Sequence, residues 1–333
     1  MIGPLIARLT LRSRLVMALF VPVAGMAVFC SLWAWQRLAD ARSAHDVRER
    51  TELVVKVMRI YNYVNFQDAL LRIVDEGGGI ETLGNIRPIA AAQLDIVVKA
   101  ATAAGDELER LAPDGLDNRH AVTTIVSAMK TLESVQSANG SSTIDEGAFR
   151  SQAKVALETA RRTIAAELET LRSDQLDDRL AVTSAMQSLA DLTVVYLREG
   201  SVLLLNAYRP RTYSPGEQRE LTNASRAATN IVANQLEPLE RDRLLDWEMS
   251  AHGQLLDGLT RRVMRGQPVG LLTVLEPLQA RFNLMTDLQE RVGQKLSARA
   301  LAAEGAARRA FLLALVLVVG LTAISIVLGV LAL

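Results

Sequence analysis

The sequence predicts an all-α protein. Two membrane-spanning helices flank an elongated helical region built as two stacked four-helix bundles that share long helices. Three observations carry this. Two uncharged apolar runs lie near the ends of the 333-residue chain. Between them apolar residues recur at alternating steps of three and four, the seam of a coiled coil or bundle. Only 4% of the residues are aromatic, and with 20 Gly and 9 Pro the bulk is left to helix formers such as Ala, Leu, Arg, Glu and Gln.

The first run, Leu15 to Trp35, has 21 residues without a charge. At about 1.5 Å per residue it covers about 30 Å of hydrocarbon. Arg8, Arg12 and Arg14 precede it, and Trp33 and Trp35 stand at its far end, where interfacial aromatics belong. The basic start stays in the cytoplasm by this reading, and the region beyond Trp35 is exported. A cleaved signal peptide fits less well, because the run exceeds the usual apolar core of a leader. The second run, Ala310 to Leu333, is also uncharged and comes directly after Arg308 and Arg309. Four segments result: 1–14 cytoplasmic, 15–35 membrane, 36–309 outer helical domain and 310–333 membrane. The chain stops inside the second run, so the expectation is either that a longer receptor continues past it or that the receptor has no output domain.

The breaks between helices are legible. In the first long helix Leu53, Val57, Ile60, Val64, Gln67, Leu71 and Val74 form a near-continuous seam, ended by Gly77-Gly78-Gly79. A second helix is expected from about Pro88 to Leu111 and a third from about Asp117 to Ser137. Thr143-Ile144-Asp145-Glu146 reads as a capping box opening a fourth, which continues to about Ala207. Ser214-Pro215-Gly216-Glu217 opens a fifth, with a capping Ser and Pro at the first helical position. That helix is expected to kink at Pro238 and end near Gly266. The last begins near Pro268, with the seam Leu271, Leu275, Leu278, Phe282, Met285, then Val292 and Leu296 after Gln289, and a kink at Pro277. First and last segments should be long antiparallel partners. An even count returns both ends to one membrane surface: six, or eight if the fourth and fifth helices each break once.

Composition excludes several functions. With 37 basic and 37 acidic residues interleaved, there is no concentrated basic patch for nucleic acid. The single cysteine, Cys30, rules out an internal disulfide. His45, His120 and His252 are too far apart to suggest a metal site. Neither a phosphate-cradling glycine loop nor a nucleophile elbow nor zinc spacing is present, so no enzyme and no cofactor is expected.

The polar interruptions of the seams are the informative residues. Leu189, Leu192, Tyr196, Glu199 and Leu203 form a seam with an acid at its fourth place, and Gln67 interrupts the first helix in the same way. A buried carboxylate is costly unless paired, and Arg198 and Arg72 flank these positions. Such a layer either sets register or lines a ligand pocket between helices. A small anion would want convergent guanidinium groups. Arg72, Arg198, Arg209 and Arg211 are the candidates, with Glu199 and Gln67 as polar wall and Tyr61, Tyr63 and Tyr208 as hydroxyl donors.

The arrangement of two spans around a helical outer domain resembles the input half of bacterial chemoreceptors, sensor kinases and membrane diguanylate cyclases. Leu9-Thr10-Leu11-Arg12-Ser13-Arg14-Leu15 is similar to a chemoreceptor's first anchor. Leu197-Arg198-Glu199-Gly200-Ser201, Leu203 to Ala207 and Tyr213-Ser214-Pro215-Gly216-Glu217 resemble the second half of nitrate- and nitrite-sensing (NIT-type) domains, with Asp75-Glu76-Gly77-Gly78 as the matching cluster of the first half. Trp247, His252 and Leu255 stand where such domains often carry a Trp-led helix. The first half departs from the pattern, because Arg does not follow Glu76. The resemblance implies an inner-membrane receptor with a periplasmic sensor domain, binding a small ligand or a partner protein, signalling as a homodimer through a piston or rotation of its helices. A non-signalling accessory subunit of an inner-membrane assembly is the alternative.

Overall fold

A computed structural model describes residues 11–76, 120–128, 130, 146–173, 177–208 and 212–332, apart from some side chains near these edges. The described residues fold as α1 (Leu11–Glu76), α2 (120–128), α3 (Glu146–Ser173), α4 (Asp177–Tyr208), α5 (Pro215–Gln235), α6 (Pro238–Met249), α7 (Ala251–Met264) and α8 (Leu271–Ala332). Every element among them is helical, as the absence of alternating patterns requires.

α1 is helical to Glu76, and the three glycines expected to end it lie outside the described residues. The expected helix start at Ser214 holds. Ser214 caps α5 in a full capping box: its hydroxyl accepts from the Glu217 amide, while the Glu217 carboxylate accepts from the Ser214 N–H at 2.9 Å. The fourth helix, for which the sequence leaves one break open, is described as two helices, α3 to Ser173 and α4 from Asp177. At Pro238 the chain breaks rather than kinks. Leu236 and Glu237 are extended, and Pro238 takes the first position of α6, where its missing N–H costs nothing. A second unexpected break falls at Ser250, whose hydroxyl accepts from the Gly253 amide and starts α7. α8 continues through Pro277 as one helix. The segments 88–111 and 143–145, expected as a helix and a cap, lie outside the described residues.

Two compact units emerge. One comprises the chain up to Arg48 and from Ser297; the other comprises Glu49–Leu296. In the first, the buried Glu304 carboxylate receives Arg48 at 3.2 Å and Arg308 at 2.5 Å, with His45 at 3.6 Å. Phe20, Val21, Phe29, Leu32 and Trp35 on α1, and Leu312, Val316, Val319 and Ile326 on α8, are exposed apolar side chains of this unit. Among the described residues one helix, Thr273–Val327, is long and apolar enough to cross a membrane, with a mean hydropathy of 2.8 in its most apolar stretch. The sequence predicts two spans. The stretch Leu15–Trp35 lies within α1, and the side chains of its first five residues are outside the described set.

In the second unit α1 and α8 run antiparallel, with Arg59 against Glu290 at 3.3 Å and Asn62 against Gln289 at 2.7 Å. Gly293 lets them approach closely, since a Cβ there would overlap the Val55 side chain. The predicted seams are buried: Leu53, Val57, Ile60 and Val64 on α1, Leu189 to Leu203 on α4, and Leu278, Phe282, Met285, Val292 and Leu296 on α8. Each fully buried Leu or Ile contributes roughly 1.5–3 kcal/mol. α5 descends antiparallel to α4, joined by Thr229 to Tyr196 and Gln235 to Ser188. The α6–α7 pair then ascends against α8, joined by Lys295 to Glu240 and Arg243 to Asp287. One apolar cluster fills the end where α4, α7 and α8 meet: Leu203, Leu204, Leu256, Leu259, Val263, Val274, Leu278 and Phe282.

Candidate functional site

Below that apolar cluster, in the Glu49–Leu296 unit, a guanidinium is buried in the bundle. Arg281 of α8 sits one turn after Leu278 and beside Phe282, so the seam that buries those residues carries it inside. Its Nη1 donates to the Glu199 carboxylate of α4 at 2.8 Å, and its Nη2 donates to the Tyr196 carbonyl at 3.2 Å. The guanidinium also lies 4.1 Å from the Tyr196 ring centre, a stacked cation–π contact. Both ionic partners are deeply buried, with side-chain exposures of 6% and 10%. Burying two charges is repaid only by good geometry and further hydrogen bonds. These exist: Glu199 also accepts from Ser225 of α5 at 3.2 Å and Thr260 of α7 at 3.4 Å. One carboxylate therefore ties four helices.

Tyr196 continues the network. Its hydroxyl donates to the Glu248 carboxylate and pairs with Thr229, both at 2.8 Å. Burial, helped by the Glu248 charge and opposed by Arg281, pushes the phenol above its ordinary value, so it stays a neutral donor. Two turns along α8, Gln289 forms a second polar layer. Its carbonyl accepts from Asn62 at 2.7 Å and its amide donates to the Thr193 hydroxyl at 3.0 Å.

Around the Arg281 layer, α4 and α8 leave a cavity of about 30 Å³, lined by Thr193, Tyr196, Ser201, Arg281, Phe282 and Met285 among others. A single water needs about 10–15 Å³ of such space, so the cavity suits a few atoms rather than a large ligand. Gly200 is part of its wall, and a Cβ there would press on Leu278 at 3.2 Å. Among the described residues no cluster of His, Cys, Asp and Glu could hold a metal ion.

Of the candidates expected from sequence whose side chains are described, Glu199 is the one that the structure places in this centre. Arg198, expected as its partner, points away and is exposed, 3.8 Å from the equally exposed Glu220. Adjacent residues on a helix lie about 100° apart, so neighbours in sequence cannot share a face. Tyr61 is half-buried on α1, away from the cavity wall. Tyr63 packs against Phe282 with ring centres 5.5 Å apart. The side chains of Gln67, Arg72 and Tyr208, together with Arg209 and Arg211, lie outside the described residues. Sequence reading misses Arg281, Thr193 and Asn62. The one signal for Arg281 is a cation three residues after Leu278 and next to Phe282, in a helix facing a seam that contains an acid. Gln289 is visible in the sequence as a gap in the last seam.

No protein-family model matches the chain, and no curated protein matches it. A solved structure does: that of the NasR transcription antiterminator, at a TM-score of 0.51 and 15% identity, covering 91% of this chain and 83% of that one. The two share a fold. At that identity the likeness extends to the helical architecture and no further.

Proposed function

We propose that this chain is the input region of a bacterial inner-membrane receptor, which takes a small ligand into the α4–α8 cavity and relays its arrival through displacement of the long helices. The observation that carries the reading is the buried Arg281, facing a cavity and held by Glu199 inside a mostly apolar seam. A polar centre of this kind is expensive to bury and ties α4, α5, α7 and α8 at a single point. The α8 helix that supplies Arg281 also holds the apolar stretch long enough to cross a membrane. The NIT-type resemblance around Leu197–Ser201 falls on the same turn of α4 as Glu199, which favours a small oxyanion as the ligand, with the outer domain in the periplasm and the receptor working as a homodimer.

The test is thermal unfolding of the full chain in detergent, read by tryptophan fluorescence, with nitrate, nitrite, organic acids and amino acids. A binder at 100 times its Kd adds about 2.7 kcal/mol. A rise in melting temperature with one of these, abolished by Arg281→Lys, is the expected result. No rise with any of them would remove the ligand reading.

A further inference from the structure

In the unit formed by the two chain ends, positive charge is concentrated beside the apolar runs. The chain as a whole has no net charge, yet residues 37–48 of α1 and 297–309 of α8 together hold six arginines against three acids, Asp40, Asp46 and Glu304. The two segments lie side by side, because Arg48 meets Glu304 at 3.2 Å and His45 lies 3.6 Å from the same carboxylate. From that contact Arg42 stands about 9 Å toward the apolar run of α1, and Arg308 and Arg309 stand about 6–8 Å toward that of α8. The three guanidinium groups therefore belong to one level.

The acids do not neutralise this level. Asp40 is taken by Arg37 at 3.2 Å. Glu304 is buried and serves Arg48 as well as Arg308. Asp46 is exposed, one turn farther from the apolar run than Arg42. Among the described residues Arg42 meets no carboxylate, and Arg309 donates only to the Gly305 carbonyl of its own helix, at 3.2 Å. Both arginines are exposed. Beyond them come the exposed apolar side chains Leu32 and Trp35 on α1 and Leu312, Leu313 and Val316 on α8.

Exposed cations at the head of an exposed apolar wall match an amphiphile with an anionic head. A phosphodiester accepts from the guanidinium fork, while acyl chains cover the wall. A free phosphate would use only the cations, and these are too exposed to hold a small ion against water. From this we infer that the collar of Arg42, Arg308 and Arg309 binds the headgroups of anionic phospholipid. The aliphatic stem of arginine lets each charge reach the phosphate level while its backbone stands farther out. The inference rests on the membrane reading of the apolar runs, and adds which lipid they select.

The experiment is tryptophan quenching of the full chain in bilayers that mix phosphatidylglycerol with phosphatidylcholine, one of the two carrying brominated acyl chains. Trp33 and Trp35 report on lipid beside the collar, and Trp247 of α6 supplies the background. Brominated phosphatidylglycerol should quench more than the same fraction of brominated phosphatidylcholine, by a preference of about fivefold per arginine. Arg42→Gln with Arg309→Gln should bring the preference close to one. The control pair Arg219→Gln with Arg265→Gln, exposed arginines of the Glu49–Leu296 unit, should leave it unchanged. Salt at about 1 M should weaken the preference, and millimolar inorganic phosphate should not. Equal quenching by the two lipids, or an equal loss from the control pair, overturns the inference and leaves the membrane reading standing. Displacement by inorganic phosphate overturns it too, since that marks an ion site. Quenching by neither lipid would sink both readings together.

Discussion

Arg281 and Glu199 make each other tolerable. Removing one partner of a buried pair leaves an uncompensated charge, which costs about 3–5 kcal/mol. Arg281→Ala should lower stability by that much in denaturant unfolding. Arg281→Met combined with Glu199→Leu should recover most of the loss, since an apolar pair of similar volume avoids desolvation altogether. If the double variant were no more stable than Arg281→Ala, the hydroxyls of Ser225 and Thr260, not the ion pair, would dominate the site. Tyr196 supplies a pH signature. Burial, then the Glu248 charge, raise its phenol against the lowering effect of Arg281. The unfolded chain loses that proton near pH 10 while the folded chain keeps it. Stability is therefore fully present below about pH 10 and falls as pH rises beyond it. Lys295 adds to the same alkaline loss. Burial lowers its ammonium, but bonds to Glu237 and Glu240 outweigh this and raise it overall. A plot of melting temperature against pH should be flatter above pH 10 for Tyr196→Phe than for the parent; an unchanged slope would contradict the burial of that hydroxyl.

At the scale of single elements, the chain's punctuation is chemical and local. The Ser214 box closes the first turn of α5, so Ser214→Ala should cost about 1 kcal/mol by equilibrium unfolding. Gly266 ends the α7 turn at φ 69°, and a Cβ there would stand 2.7 Å from the Thr212 hydroxyl. Gly266→Ala should therefore destabilise by about 1–2 kcal/mol, against the usual gain from replacing glycine. Pro238 is legible as an interruption, but whether proline bends a helix or begins a new one depends on its surroundings. Here Leu236 is buried and extended, and the preceding Glu237 takes the extended conformation that proline imposes on its neighbour. The Ser250 break carries a weaker local signal: a serine three residues before Gly253 can cap an interior helix start.

Across the whole molecule, the exposed apolar side chains of the unit formed by the two chain ends decide how the protein must be handled. Side chains such as Phe29, Trp35, Val316 and Ile326 are each more than 60% exposed. Contiguous apolar surface of that extent is a membrane or interaction site, or an aggregation hazard. Purified material should stay monodisperse only in detergent or lipid, and solubility without either would refute the membrane reading. Orientation is checked with Cys30→Ala and a cysteine at the exposed Ala251. A membrane-impermeant maleimide should label it in intact spheroplasts, and protection there would place the bundle in the cytoplasm.

The seams on α1, α4 and α8, the all-helical class and the cap at Ser214 were settled by local chemistry, because helical period and capping act within about one or two turns and need no partner to be read. The same is true of Glu199 as a buried polar position, since its place in the 3–4 spacing forces it inward. Its partner was a different matter. Arg198 is adjacent in sequence yet faces solvent, while Arg281 is 82 residues away and arrives only when α8 packs against α4. Which cation meets a buried acid, and whether a cavity is left beside the pair, depends on the rotation and register of two helices about their own axes. Burial of the whole seam fixes those quantities, and no short stretch of sequence contains them.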